Sequence, residues 1–90
     1  MDIELKIIGI KQTLSTWTLA SATINGKTYG IQLVRFDEPS QYGIHNGRIS
    51  KLYIADAERN AVINYDRGWY IRPKTIEVQV LLVAIIEKFN

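Results

Sequence analysis

The side chains that could do chemistry are few. His45 is the single histidine of the chain and lies between Ile44 and Asn46, in a stretch bounded by Gly43 and Gly47. A metal at His45 would need further His or Cys ligands, and the chain has no cysteine and no second histidine. A general base there would need a positioned partner. His45 therefore reads as an exposed loop residue. Asp37, Glu38 and Asp66 could form a carboxylate group that binds a divalent cation or works as an acid/base pair. Asp37 and Asp66 fall where strands should end, and short acidic side chains there usually accept backbone N–H groups of turns. Arg35 or Arg67 could neutralise one of them. A structural role is the favoured reading.

Arg48, Lys51, Arg67 and Arg72 lie among Tyr53, Trp69 and Tyr70. Cations interleaved with aromatics can follow a nucleic-acid backbone and stack on bases. Arg48 and Lys51, however, differ by three positions and would point to opposite faces of a strand, and Asp56, Glu58 and Asp66 dilute the local field. Gly43, Gly47 and Gly68 make no phosphate loop, and no Ser or Thr stands in a nucleophile-elbow pattern. Active sites are spatial rather than sequential, so an enzyme or small-ligand (nucleotide) site built from Tyr42, His45, Asp66 and Trp69 stays open as an alternative.

These residues must be held by one small domain. The chain has 90 residues, a net charge of +2 and a normal globular hydrophobic fraction of 47%, which fits a single core spanning residues 1–90. That charge is too small to argue for nucleic acid by itself. The absence of cysteine tilts toward a reducing, cytoplasmic setting. The alternating start Asp2-Ile3-Glu4-Leu5-Lys6 is unlike a signal peptide, and the most apolar run, residues 78–86, is too short to span a bilayer. No membrane association, metal or cofactor is expected.

Alternation predicts a half-buried strand over residues 2–10, with Ile3, Leu5 and Ile7 pointing inward, and a loop over residues 11–16. Asn25-Gly26 is the strongest local signal, because both central positions of a type I′ turn require positive φ. It predicts strands at 16–24 and 28–36, with Ala20 facing Ile31 and Ala22 facing Tyr29. Pro39 ends the second strand. A long loop leads to strands at 48–54 and 61–65, separated by a turn at 56–60. The segment 74–89 is expected to be a helix capped by Thr75, with Val78, Leu82, Ile85, Ile86 and Phe89 on one stripe. Ile76, Val78 and Val80 alternate with polar residues as a strand would, which conflicts locally with the helix. The other side of that helix carries Ile76, Val80, Val83 and Ala84, where a surface helix should be polar. It is a candidate partner-binding surface and a plausible homodimer contact.

The strings Phe36-Asp37-Glu38-Pro39-Ser40-Gln41-Tyr42-Gly43-Ile44, Gly47-Arg48-Ile49-Ser50-Lys51-Leu52 and Tyr65-Asp66-Arg67-Gly68-Trp69 resemble an uncharacterised family of small single-domain proteins. That family comes from Gram-positive bacteria, their phages and mobile elements. The resemblance covers about residues 17–89 and leaves residues 1–10 outside it. It brings no activity and no catalytic residues. It implies an accessory protein that binds a host protein, with inhibition of CRISPR–Cas or another antiviral system as one form of that role.

The expected architecture is α+β: an antiparallel meander of four or five strands with one C-terminal helix packed on one face. Its expected core comprises Leu5, Ile7, Ala20, Ala22, Ile31, Leu33, Leu52, Ile54, Ile63, Leu82, Ile85 and Phe89, with Trp17 and Trp69 at its margins. The function these features favour is a non-enzymatic module that binds a host protein. A nucleic-acid binder using Arg48, Lys51, Arg67 and Trp69 is the first alternative.

Overall fold

A computed structural model of the chain describes residues 3–12 and 16–90. Asp2 and part of the expected loop after the first strand lie outside the described residues. The strands are β1 (Ile3–Gln12), β2 (Thr16–Ile24), β3 (Lys27–Arg35), β4 (Ile49–Ala55), β5 (Ala61–Asp66) and β6 (Trp69–Ile71), and the helix is α1 (Ile76–Phe89). The strands form one antiparallel sheet in the order β1-β2-β3-β4-β5-β6, so each pairs with its neighbour in sequence. The meander and its single helix match the architecture expected from the sequence. The sheet has six strands, one more than the upper expectation, because Trp69-Tyr70-Ile71 returns to pair with β5.

The Asn25-Gly26 turn sets the register of the central hairpin. Both residues have positive φ (51° and 76°), and Ile24 faces Lys27, Ala22 faces Tyr29 and Ala20 faces Ile31. The period of two then places Ala20, Ala22 and Ile24 of β2, Tyr29, Ile31 and Leu33 of β3, and Leu52, Ile54 and Ile63 on one face. Val78, Leu81, Leu82, Ile85 and Phe89 of α1 close over that face as a single core. The alanines leave room for the helix where larger side chains would hold it off the sheet.

The 3.6-residue period prevails over the poor helix propensity of Val and Ile in α1, because only the helical arrangement brings all five apolar residues to one buried stripe. Thr75 caps the start, its hydroxyl accepting the Val78 N–H at 3.2 Å. Glu77 stands in the first turn and Lys88 in the last, each suited to the helix dipole. The helix begins two residues later than expected, and Leu81 is fully buried where the expected stripe had Ile86, which is only partly covered.

Two other expectations need correction. Ile7 is 54% exposed rather than in the core, although it lies on the helix-facing side opposite Ala20. A single helix lying along β3 and about 10–12 Å across with its side chains does not reach over the outer edge of the sheet two strands away; Ile3 and Leu5 are partly covered and pack against the core. Lys11 and Gln12 are strand rather than loop, paired with Trp17 and Thr16. In β1 the register passes from Ile7 opposite Ala20 to Gly9 opposite Leu19, so Ile8 is the extra residue of a bulge.

Glu77 clamps the start of α1 to the central hairpin. Its carboxylate accepts from the Asn25 side-chain amide (3.2 Å) and the Tyr29 hydroxyl (3.3 Å), and the Lys27 ammonium lies 3.4 Å away. The Asn25 hydrogen bond, with smaller help from Lys27 and Tyr29, holds the Glu77 carboxyl below its ordinary value. Burial and the neighbouring carboxylate push the Tyr29 hydroxyl up. A carboxyl lowered in the folded state stabilises the fold above its unfolded value and loses that contribution as pH falls through its folded one. Glu77→Gln is therefore expected to lower the melting temperature at neutral pH. The gap to the parent chain should close below about pH 4.5, the ordinary glutamate value. Thermal unfolding followed by circular dichroism from acid to neutral pH measures this, and a gap that stays constant across the range would contradict it.

Candidate functional site

The helix covers one face of the sheet and leaves the other to water. The register assigns that open face row by row. Lys11 pairs with Trp17, and on the next strands Val34 pairs with Lys51 and Lys51 with Asp66. The adjacent row runs Gly9, Leu19, Gln32, Tyr53, Asn64, Ile71. Trp17, Gln32, Lys51, Tyr53, Asn64 and Asp66 line a shallow concavity of about 320 Å³ in the middle of this face. The Lys51 ammonium lies 5.9 Å from the centroid of the Trp17 ring, within cation–π range. Trp17 and Tyr53 are half-buried. Trp17 thus belongs to the open face and not to the margin of the core. Its strand position explains this, because it is offset by an odd number of residues from Ala20 and Ala22.

This face gathers aromatic, amide and charged side chains. Two aromatic rings offer flat apolar area with polar tips, two side-chain amides offer paired donors and acceptors, and one cation and one anion stand opposite each other. No nucleophile–base pair is present in it. Among the described residues no group of three or more His, Asp or Glu side chains could hold a metal ion, and no helix is long and apolar enough to cross a membrane.

The residues singled out from the sequence fall into separate places. Lys51 and Asp66 come together on the open face. Tyr42 and Trp69 meet on the helix side through Tyr65, whose hydroxyl donates to the Tyr42 carbonyl at 2.7 Å and whose ring meets Trp69 edge-on at 5.1 Å. Trp69 packs against the core, as expected, with the Arg72 guanidinium 5.3 Å from its ring centroid. Arg48 precedes β4 and donates its Nε–H to the Phe36 carbonyl at 2.8 Å. Arg67 occupies a turn at φ 58°, its backbone N–H bonded to the Ser50 carbonyl. The four cations of the nucleic-acid reading therefore do not form one stripe. Arg35 turns to the helix end, where it lies 5.2 Å from the Phe89 ring and donates to the Phe89 carbonyl. Asp37 and Glu38 are exposed in the loop after β3. The carboxylate that organises a turn is Asp56, which accepts the Glu58 and Asn60 N–H groups at 2.9 Å each. On the outer side of α1, Ile76 is 72% and Val83 55% exposed, while Val80 and Ala84 are partly covered.

With this geometry in place, the similarity to known proteins can be located on it. Residues 16–90, from β2 to the last residue, match the family described as Domain of unknown function (DUF7678). The chain belongs to that family. The DUF7678 match takes in the core, the helix and every open-face residue that lines the concavity, and it leaves β1 outside. No curated protein and no solved structure matches the chain.

One residue that sequence reasoning did not single out organises the long loop. Asn90 follows α1, and its side-chain oxygen accepts the backbone N–H groups of Arg48 (2.7 Å) and Ile49 (3.0 Å), while its amide donates to the Ile44 carbonyl (2.9 Å). Ile44 opens a single 3-10 turn, Ile44–Asn46, and is itself buried in the core. His45 and Asn46 in that turn have left-handed backbone, φ 52° and 57°, a conformation that an external constraint must hold for a residue such as histidine. A Cβ at Gly47 would strike the Asn90 side chain, so a larger residue there would push Asn90 out of its hydrogen bonds. Only the distant fold brings Asn90 here, which is why no local signal announces it. Asn90→Ala removes three hydrogen bonds from partly buried backbone groups and should destabilise the domain by about 1–3 kcal/mol. That corresponds to a melting-temperature loss of roughly 4–8 °C per kcal/mol in a domain of this size. Thermal denaturation checks it, and an unchanged midpoint would contradict the tether.

Proposed function

We propose that this DUF7678 chain is a non-enzymatic binding module whose open sheet face docks a partner protein. The observation that carries this reading is the cluster of Trp17, Tyr53, Gln32 and Asn64 around the Lys51–Asp66 pair on a face the helix leaves uncovered. Aromatic side chains held by strands, flanked by amides, supply binding area at low entropic cost. The nearly balanced charge favours a protein over a nucleic acid, whose backbone calls for clustered cations. The resemblance of the Phe36–Ile44 and Tyr65–Trp69 strings to small proteins of Gram-positive bacteria, their phages and mobile elements supports an accessory role in the cytoplasm of such a host. There the partner is a host protein, and CRISPR–Cas or another antiviral system is one such target. The outer side of α1 gives a second contact surface, favoured by the exposure of Ile76 and Val83.

Capture of the tagged chain from a Gram-positive lysate, with and without nuclease, tests the reading when it is run on surface variants. The expected result is a stoichiometric protein that survives nuclease, that is lost with Trp17→Ala or Tyr53→Ala, and that is retained with Val83→Lys. Each decisive truncation should weaken binding by about 1–2 kcal/mol or more, roughly 5- to 30-fold. Loss with Val83→Lys alone would move the docking surface to the helix. A partner that disappears with nuclease, with binding that falls steeply in salt, would replace the protein with a nucleic acid.

A further inference from the structure

β1 is a ten-residue edge strand, and one of its edges is unpaired among the described residues. Three large apolar residues stand in water on it, Ile7, Ile8 and Ile10, the last two 68% and 69% exposed. A long apolar edge strand is a template for pairing with another chain. We infer that its occupant is a second copy of this chain, joined β1 to β1 antiparallel about a twofold axis perpendicular to the sheet. The bulge at Ile8 selects the register. Before the bulge Ile3, Leu5 and Ile7 face the helix side and Glu4 and Lys6 the open side; after it Ile10 and Gln12 face the helix side and Gly9 and Lys11 the open side.

Directly paired residues must share a face. Centring the pair between Ile7 and Ile8 satisfies this on both flanks of the bulge: Ile3 meets Gln12, Glu4 meets Lys11, Leu5 meets Ile10 and Lys6 meets Gly9, each twice by symmetry. Two opposite-charge pairs then lie on the open side and two apolar pairs on the helix side, both of them favourable cross-strand combinations. Moving the register outward by two residues in the sum sets Lys6 against Lys11, and moving it inward leaves Glu4 opposite Gly9. A shorter pairing centred on Leu5 sets Glu4 against Lys6 but leaves Ile8 and Ile10 in water. The bulge, which ordinarily interrupts an edge, is here what brings the two halves of β1 into matching faces.

The resulting dimer is one continuous sheet with six strands from each copy. Its two open faces lie on the same side. β1 is outside the family match at residues 16–90, so this pairing belongs to the part of the chain that the DUF7678 match does not include. The inference does not depend on what the open face binds.

Sedimentation equilibrium on the full chain over a wide concentration range tests it. The parent chain should approach twice the chain mass. Glu4→Lys alone and Lys11→Glu alone each place like charges opposite each other twice and should weaken association roughly tenfold or more. Mixing the two variants restores both opposite-charge pairs and should restore the dimer, which also shows that neither variant had unfolded. A parent chain that stays monomeric throughout would overturn the inference. So would a dimer indifferent to both variants, or one lost in both and not recovered on mixing.

Discussion

One helix has to serve a six-stranded sheet, and most of the structure follows from that constraint. A single α1 can bury only one face and only the middle of it. The residues beneath it are accordingly small or branched on β2, β3, β4 and β5: Ala20 and Ala22 make room, and Ile24, Ile31, Leu33, Ile54 and Ile63 fill the space against Leu81, Ile85 and Phe89. The other face must be stable in water without a second layer. It answers with Gln32, Asn64, Lys51 and Asp66 around half-buried Trp17 and Tyr53. Burial on one side thus creates the surface on the other that is free to recognise something.

Both ends of the helix are fastened to the sheet by polar contacts. At the start, Glu77 gathers Asn25, Lys27 and Tyr29. At the end, Asn90 holds the Ile44–Ile49 segment, which otherwise carries left-handed His45 and Asn46 with little regular structure. Together these contacts fix the helix along β3, from Tyr29 near its first turn to Arg35 at Phe89. The Tyr42–Tyr65–Trp69 chain then closes the same end of the domain from the other side. The backbone carbonyl of Tyr42 and the guanidinium of Arg48 are thereby engaged in holding the long loop, while the Tyr42 side chain stays exposed and Trp69 packs on Tyr65.

Much of the fold was legible in the sequence, for reasons that differ by element. The hairpin β2–β3 was readable residue by residue, because a two-residue Asn-Gly turn leaves no freedom in register. The helix was readable from its stripe despite unfavourable propensities. β6 was not, since its three residues, Trp69–Ile71, are too few to show a period. Ile7 misled because alternation tells which face a residue points to, and says nothing of how far a helix extends over that face. The candidate site was less legible still. Trp17, Lys51 and Asp66 sit on three different strands and meet only through the pairings of β2, β3, β4 and β5. Asn90 acts on groups more than forty residues away in the chain. The lone His45, the most conspicuous residue by type, lies exposed in a 3-10 turn away from the open face.

If the uncovered face of the sheet is the working surface of the domain, a bound partner must cover Trp17 and Tyr53. Hydroxyl-radical footprinting of the chain, free and with its captured partner bound, tests it most directly, because Trp17 and Tyr53 are reactive aromatic reporters on that face. The account predicts strong protection of both in the complex, with Ile76 and Val83 on the outer side of the helix as reactive as in the free chain. Protection confined to the helix, with Trp17 and Tyr53 unchanged, would contradict it.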